Sequence, residues 1–189
     1  MTQQARHRRS AWLTLGLAAA LLCSVAAPAP ASPSACGTAS HAPRVATDHE
    51  LRTSVLCLVN RARKRHGVHR LSFNVALRRS ATRHSWSMVR SRSFSHYGPR
   101  GSTMLTRIAR TGYLSRVASY RVAENIAAGA GPGHGSPMGI VRSWMHSPPH
   151  RRNILDSRLH DFGVGVARGD PFGSGARAAT YTLDLGARG

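Results

Sequence analysis
The spacing of apolar residues changes along the chain from helical to alternating, which separates a helix-forming stretch from a strand-forming one. Residues 11–27 are an almost unbroken apolar run, interrupted by Thr14, Gly16 and Ser24. Farther on, Val55, Leu58, Val59 and Ala62 recur at the three- and four-residue spacing of one helix face, ahead of a stop at Gly67. The stretch Thr47-Asp48-His49-Glu50 is a capping box, with Thr at the N-cap and Glu three residues on. It predicts where that helix starts and gives Glu50 a structural task. Leu77, Ala81, His84 and Met88 share one face of a second helix that begins near Asn74. A short third helix covers about residues 103–110 and stops at Gly112.

Residues 122–129, VAENIAAG, are small and apolar except for Glu124 and Asn125, and fit a buried helix or a buried strand. Residues 129–135 read as a flexible loop. His134 stands where a dinucleotide fingerprint needs its third glycine, so the loop is assigned no phosphate-binding role. Ser136-Pro137 opens a fourth helix that runs to about residue 145, with Pro at the first helical position. Ser147-Pro148-Pro149 breaks it and starts a fifth turn through His150 to Leu155. Phe162, Val164 and Val166 then alternate, as do Tyr181, Leu183 and Leu185, around a Gly-rich stretch at 169–175: a β-hairpin with a long loop. Helices followed by strands predict an α+β fold, helices packed on a small antiparallel sheet.

The N-terminal features bear on where the chain works. Arg6, Arg8 and Arg9 precede the first apolar run, and Ala29-Pro30-Ala31 follows it as a small-x-small cleavage site. That order predicts a secretory signal peptide at 1–31, with an uncleaved membrane anchor as the alternative. Residues 32–46 read as a Pro/Ser/Ala-rich tail or linker, and 47–189 as one domain. No second apolar run is long enough to cross a bilayer, so no transmembrane segment is expected in the mature chain. Removing residues 1–31 leaves two of three cysteines, Cys36 and Cys57. In an oxidising compartment an even pair reads as one disulfide, here pinning the tail to the first helix, with two free thiols as the alternative. The expected location is secreted, extracellular.

Charge adds an expected partner class and excludes another. The chain has 27 basic and 7 acidic residues, net +20; the signal peptide takes three arginines and no acid with it, leaving +17. Such a surface attracts polyanions non-specifically, anionic lipid and cell-wall polymer included. Lys64 is the single lysine, and Arg-for-Lys usage alongside abundant Ala and Gly reflects a GC-rich genome as much as a selected surface. No zinc knuckle, aromatic RNA-binding signature or basic zipper is present, so no specific nucleic-acid partner is expected. The basic residues are scattered among all the predicted elements, which reads as a solvated surface able to associate with the wall.

Three polar residues stand out from apolar or tightly turned surroundings: His96 in Phe94-Ser95-His96, Glu124, and His150 in the block SPPHRRNIL. Two imidazoles and a carboxylate can ligate a divalent ion, act as a general acid–base pair, or satisfy one another by hydrogen bonding. The histidines lie 54 positions apart and form no short ligand motif, so spacing leaves the three readings open.

The ordered blocks Cys57-Leu58-Val59-Asn60-x-x-Arg63, Ala81-x-x-His84-Ser85-x-x-Met88, Phe94-Ser95-His96, Ala123-Glu124-Asn125-Ile126-Ala127, Trp144-Met145-x-Ser147-Pro148-x-His150-Arg151-x-Asn153-Ile154-Leu155 and Gly163-Val164-Gly165-Val166 resemble the bacterial branch of the CAP superfamily. This superfamily, also called SCP domains, comprises cysteine-rich secretory, antigen 5 and pathogenesis-related proteins. The resemblance implies an α-β-α sandwich with a shallow cleft lined by two His and two Glu, which sometimes hold zinc or a similar ion. Carried over by motif, His96, Glu124 and His150 are the cleft residues, with His96 and His150 as the metal ligands the resemblance implies. The second family glutamate falls where this chain has Ser147, so the set is incomplete and any divalent ion such as zinc is expected to bind weakly, with no cofactor required. Ala123 replaces the glycine usual before the glutamate.

The other polar residues receive supporting roles. His84 is expected to be a hydrogen-bonded, semi-buried residue, and Arg151 and Asn153 to tie the turn around His150 to neighbouring carbonyls. Trp144 and Met145 read as core, His134, His146 and His160 as surface, and Asp161 and Asp184 as strand-end residues. The leading expectation is a secreted protein that binds a lipid, an envelope component or a divalent ion without catalytic turnover. The alternatives are a metal-assisted hydrolase using the same residues, and a basic adhesin for anionic wall polymer.

Overall fold
A computed structural model describes residues 36–189; the predicted signal peptide and the first residues of the tail lie outside the described residues. The helices are α1 (Asp48–Arg65), α2 (Val75–Ser91), α3 (Met104–Ala109), α4 (Pro137–His146) and α5 (Pro148–Leu155). The strands are β1 (Ser72–Phe73), β2 (Tyr120–Ala130), β3 (Asp161–Arg168) and β4 (Ala178–Arg188), in sheet order β1-β3-β4-β2. The sheet is mixed rather than antiparallel throughout: β1 runs parallel to β3, while β4 pairs antiparallel with both neighbours.

Alternation along the central strands fixes the layers. Phe162, Val164, Val166, Tyr181, Leu183 and Leu185 join Leu51, Val55 and Val59 of α1, Ile140 and Trp144 of α4, and Ile154 of α5 in one buried cluster. The intervening Gly163 and Gly165 face the other way, as the period of two requires, and meet α2. A Cβ at Gly163 would collide with the backbone of Leu77 and Arg78, and one at Gly165 with that of Ala81 and Thr82. The helix therefore lies directly on β3, completing an α-β-α sandwich. On the same face Ser85 donates to Thr182 Oγ1 at 2.9 Å, so this interface is partly polar.

Local signals act where the sequence places them. Thr47 N donates to Glu50 Oε2 at 2.7 Å and Glu50 N to Thr47 Oγ1 at 3.2 Å, the reciprocal capping box at the start of α1. Asn74 caps α2 through the amides of Ala76 and Leu77. Cys36 and Cys57 form a disulfide. The part of the tail that is described packs closely: Ala39 and Ala46 are buried, the Ala39 carbonyl accepts Met138 N, and Arg168 donates to Asp48 and to the carbonyls of Pro43 and Ala46. Arg63, fully buried, donates to the carbonyls of His69, Ile154, Asp156 and Leu159, which fixes the end of α5 and the turn that follows it.

Three expectations are corrected. The stretch around Glu124 is an eleven-residue strand, β2, that extends through Ala130 into the region read as loop. Asp161 does begin β3, but Asp184 lies inside β4 with no exposure. His84 is fully buried rather than semi-buried, and neither ring nitrogen has a hydrogen-bond partner of good geometry.

Candidate functional site
The strand β2 lies at the sheet edge and turns consecutive side chains to opposite faces, which splits the Glu124-Asn125 pair. Glu124 pairs across the ladder with Asp184, which in turn pairs with Gly163, so its carboxylate lies on the α2 side. There His96 Nδ1 lies 2.8 Å from Glu124 Oε1, and Arg107 Nη2 from α3 lies 2.6 Å from Oε2. His84 Nε2 is 3.8 Å from the same carboxylate. An ionised carboxylate can only accept, so His96 carries its shared proton on Nδ1. Burial opposes ionisation of Glu124, but the His96 hydrogen bond and the charges of His84 and Arg107 outweigh it, and the carboxyl titrates below its ordinary range.

Asn125 serves the other face. Its amide donates to the His150 carbonyl at 3.0 Å, and Asn153 Nδ2 donates to Asn125 Oδ1 at 2.9 Å and to the Glu124 carbonyl at 3.3 Å. His150 is thus joined to the Glu124 strand through its backbone, while its imidazole is half-buried. Burial, and then the His96 charge, lower the His150 pKa. Asn153 thus reaches a carbonyl of the Glu124 strand, while the Arg151 guanidinium meets His66 Nε2 at 3.1 Å. The Ser147 carbonyl accepts Arg151 N at 2.8 Å, and its hydroxyl makes no cap bond.

A recess of about 410 Å³ opens beside this cluster. Tyr97, Met104, Leu105, Val122 and Ala123 form its apolar wall; His96, Glu124 and Asn153 supply its polar end, and His150 is not among the lining residues. The His96 side chain is 51% exposed and Glu124 2%, so the imidazole is the accessible member of the pair.

Two members of the cluster escaped sequence reasoning. Arg107 is the counter-ion of Glu124, and it also donates to the carbonyls of His96 and Ser102. Asp184 is a second carboxylate beside Glu124, in the position opposite it on β4. Burial and the charge of Glu124 push Asp184 well above the ordinary range, and neither of its oxygens has a well-formed hydrogen bond. The Ser80 hydroxyl beside it opposes that rise. The available signal was Gly163-x-Gly165, since glycines on one face of the neighbouring strand mark a face closed by a helix and not by water.

Among the described residues no three His, Cys, Asp or Glu side chains are grouped to ligate a metal. A divalent ion at Glu124 would also have to displace the Arg107 guanidinium, which already neutralises the carboxylate.

Sequence comparison agrees with this architecture. The model of the cysteine-rich secretory protein family, CAP, matches residues 56–183. The chain belongs to the CAP family. The chain is 31% identical over 141 residues to YkwD, an uncharacterized protein of Bacillus subtilis, covering 74% of this chain and 51% of that relative. The chain thus spans about half the length of the curated relative it matches. In fold it is similar to an extracellular SCP-domain protein of Bacillus anthracis (TM-score 0.59, 24% identity, 74% of this chain and 43% of that one). It is also similar to an outer surface protein of Borrelia burgdorferi (TM-score 0.57, 18% identity, 71% and 90%). Among the described residues no helix is long and apolar enough to cross a membrane.

Proposed function
We propose that this CAP-domain protein works outside the cell as a non-catalytic binding protein, taking an amphipathic envelope component into the recess beside His96 and Glu124. The observation that carries this reading is the commitment of both Glu124 oxygens, one to His96 and one to Arg107. A general base near neutral pH needs a raised pKa and a free lone pair aimed at substrate; Glu124 has a lowered pKa and a guanidinium on it. The apolar wall suits an acyl or prenyl chain, and His96 with Asn153 suits a polar head. An extracellular setting is supported by the Cys36–Cys57 disulfide and the likeness to extracellular and surface proteins.

A fluorescent fatty-acyl probe tests the reading. The wild type is expected to bind it, and Leu105→Glu, which sets a carboxylate where the bound acyl chain would cover it, to weaken binding by about tenfold or more. Equal binding by Leu105→Glu would remove the recess from consideration. A hydrolytic activity that disappears in Glu124→Gln would replace this reading with the hydrolase one.

A further inference from the structure
The scatter of arginines along the sequence is not a scatter in space. A second recess, of about 440 Å³, lies between α2, α3 and the turn at Pro99–Gly101. Arg83 and Arg90 enter it from α2, Arg100 from the turn, Arg107 from α3 and Arg110 from the C-cap of α3, and no carboxylate lines it. Arg107 is held by Glu124, but Arg83, Arg90, Arg100 and Arg110 make no ion pair with any of the seven acids of the chain, all of which lie among the described residues. Arg100 reaches the rim from a left-handed backbone at φ +56°, a conformation that costs a non-glycine residue energy.

The inner wall carries an independent sign of a missing partner. His84 and Ser80 both line this recess, both are 1% exposed, and none of His84 Nδ1, His84 Nε2 and Ser80 Oγ has a hydrogen-bond partner of good geometry, although Nε2 lies 3.8 Å from Glu124 Oε1 and Ser80 lies beside Asp184. Buried polar atoms are ordinarily paired. Unpaired guanidinium groups gathered in one concavity repel one another unless an anion joins them.

We propose that this arginine-lined recess is a binding site for the phosphate groups of a soluble anionic ligand. Guanidinium forks match tetrahedral phosphate oxygens in two-point contacts. Ser80, Ser87 and Ser102 add hydroxyl donors around the same space. The arginines converge on a concavity and do not spread over a plane, which favours a phosphate chain or ester that enters the recess over a bilayer surface that meets only its rim. The site shares Arg107 with the Glu124 cluster but does not depend on the acyl-binding reading of that cleft.

Calorimetric titration of the full chain with pyrophosphate tests the site, using two charge-matched double variants. Arg83→Ala/Arg110→Ala removes two exposed lining arginines; Arg142→Ala/Arg177→Ala removes two exposed arginines elsewhere. The recess pair is expected to weaken binding by about tenfold or more and to leave what binding remains less sensitive to salt. The control pair should change affinity by less than about twofold, since it alters only long-range charge. Equal weakening by both pairs would assign the affinity to net charge and overturn the site. Binding to phosphatidylglycerol vesicles with no binding of pyrophosphate would overturn it in favour of a membrane surface.

Discussion
Glu124 and Asp184 occupy facing positions on adjacent strands, both shielded from water, and are pushed in opposite directions. Glu124 has His96 and Arg107, and its pKa falls; Asp184 has burial and a neighbouring negative charge, and its pKa rises. A carboxyl whose folded pKa lies above the unfolded value holds its proton longer in the folded state, so it costs nothing below the unfolded pKa and destabilises progressively as pH rises from there toward the folded pKa. Asp184→Asn keeps the shape and removes this titration. The variant is expected to match wild-type stability near pH 3 and to exceed it near neutrality by about 1–3 kcal/mol, the usual cost of an unsatisfied buried polar group. Chemical denaturation at the two pH values measures the difference. A variant less stable than wild type at both would show that Asp184 makes a hydrogen bond essential to the sheet.

Whether an element could be read from the sequence depended on how its faces are covered. The helices α1, α2 and α4 each turn one apolar stripe to the core and carry a side-chain cap, so spacing and capping locate them within a residue or two. The hairpin of β3 and β4 was legible for its core face alone. Thr182 and Asp184 on the opposite face look like solvent positions in the sequence, but α2 covers them. The strand β2 has no alternation to read, because Glu124 is satisfied by α3 and the His96 loop while Asn125 is satisfied by α5, leaving polar groups on both faces. His96 and Glu124 could be found through a family motif; Arg107 could not, since its role depends on a short helix docking over β2. The same closeness makes Gly163 a sensitive position. Gly163→Ala would drive a methyl group into the backbone of Leu77 and Arg78, where no flexible side chain can yield. It is expected to lower stability by about 1–3 kcal/mol or more, the range for overpacking a well-filled interior. The loss should appear as a lower urea midpoint without a change of slope; an unchanged midpoint would mean that α2 can slide away from β3 at little cost.

Over the whole molecule, positive charge is both an attractive field and a source of strain. The full sequence carries 27 basic and 7 acidic residues, and the acids are largely spent on named partners: Glu50 on a helix cap, Glu124 on Arg107, Asp156 on Arg158 and Asp48 on Arg168. The remaining arginines repel one another across the surface, most strongly where four unpaired ones share a recess. Screening relieves that repulsion, so raising sodium chloride from about 0.01 M to about 1 M, which shortens the Debye length from about 30 Å to about 3 Å, is expected to raise the melting temperature. The same logic predicts that Arg83→Ala/Arg110→Ala stabilises the fold at low salt and loses this advantage at high salt, whereas Arg142→Ala/Arg177→Ala changes little at either. Melting curves for the three proteins at both salt concentrations decide the matter. A uniform salt response in all three would place the repulsion on the surface at large; a response concentrated in the wild type and the control pair, and weak in the recess pair, locates it between α2 and α3.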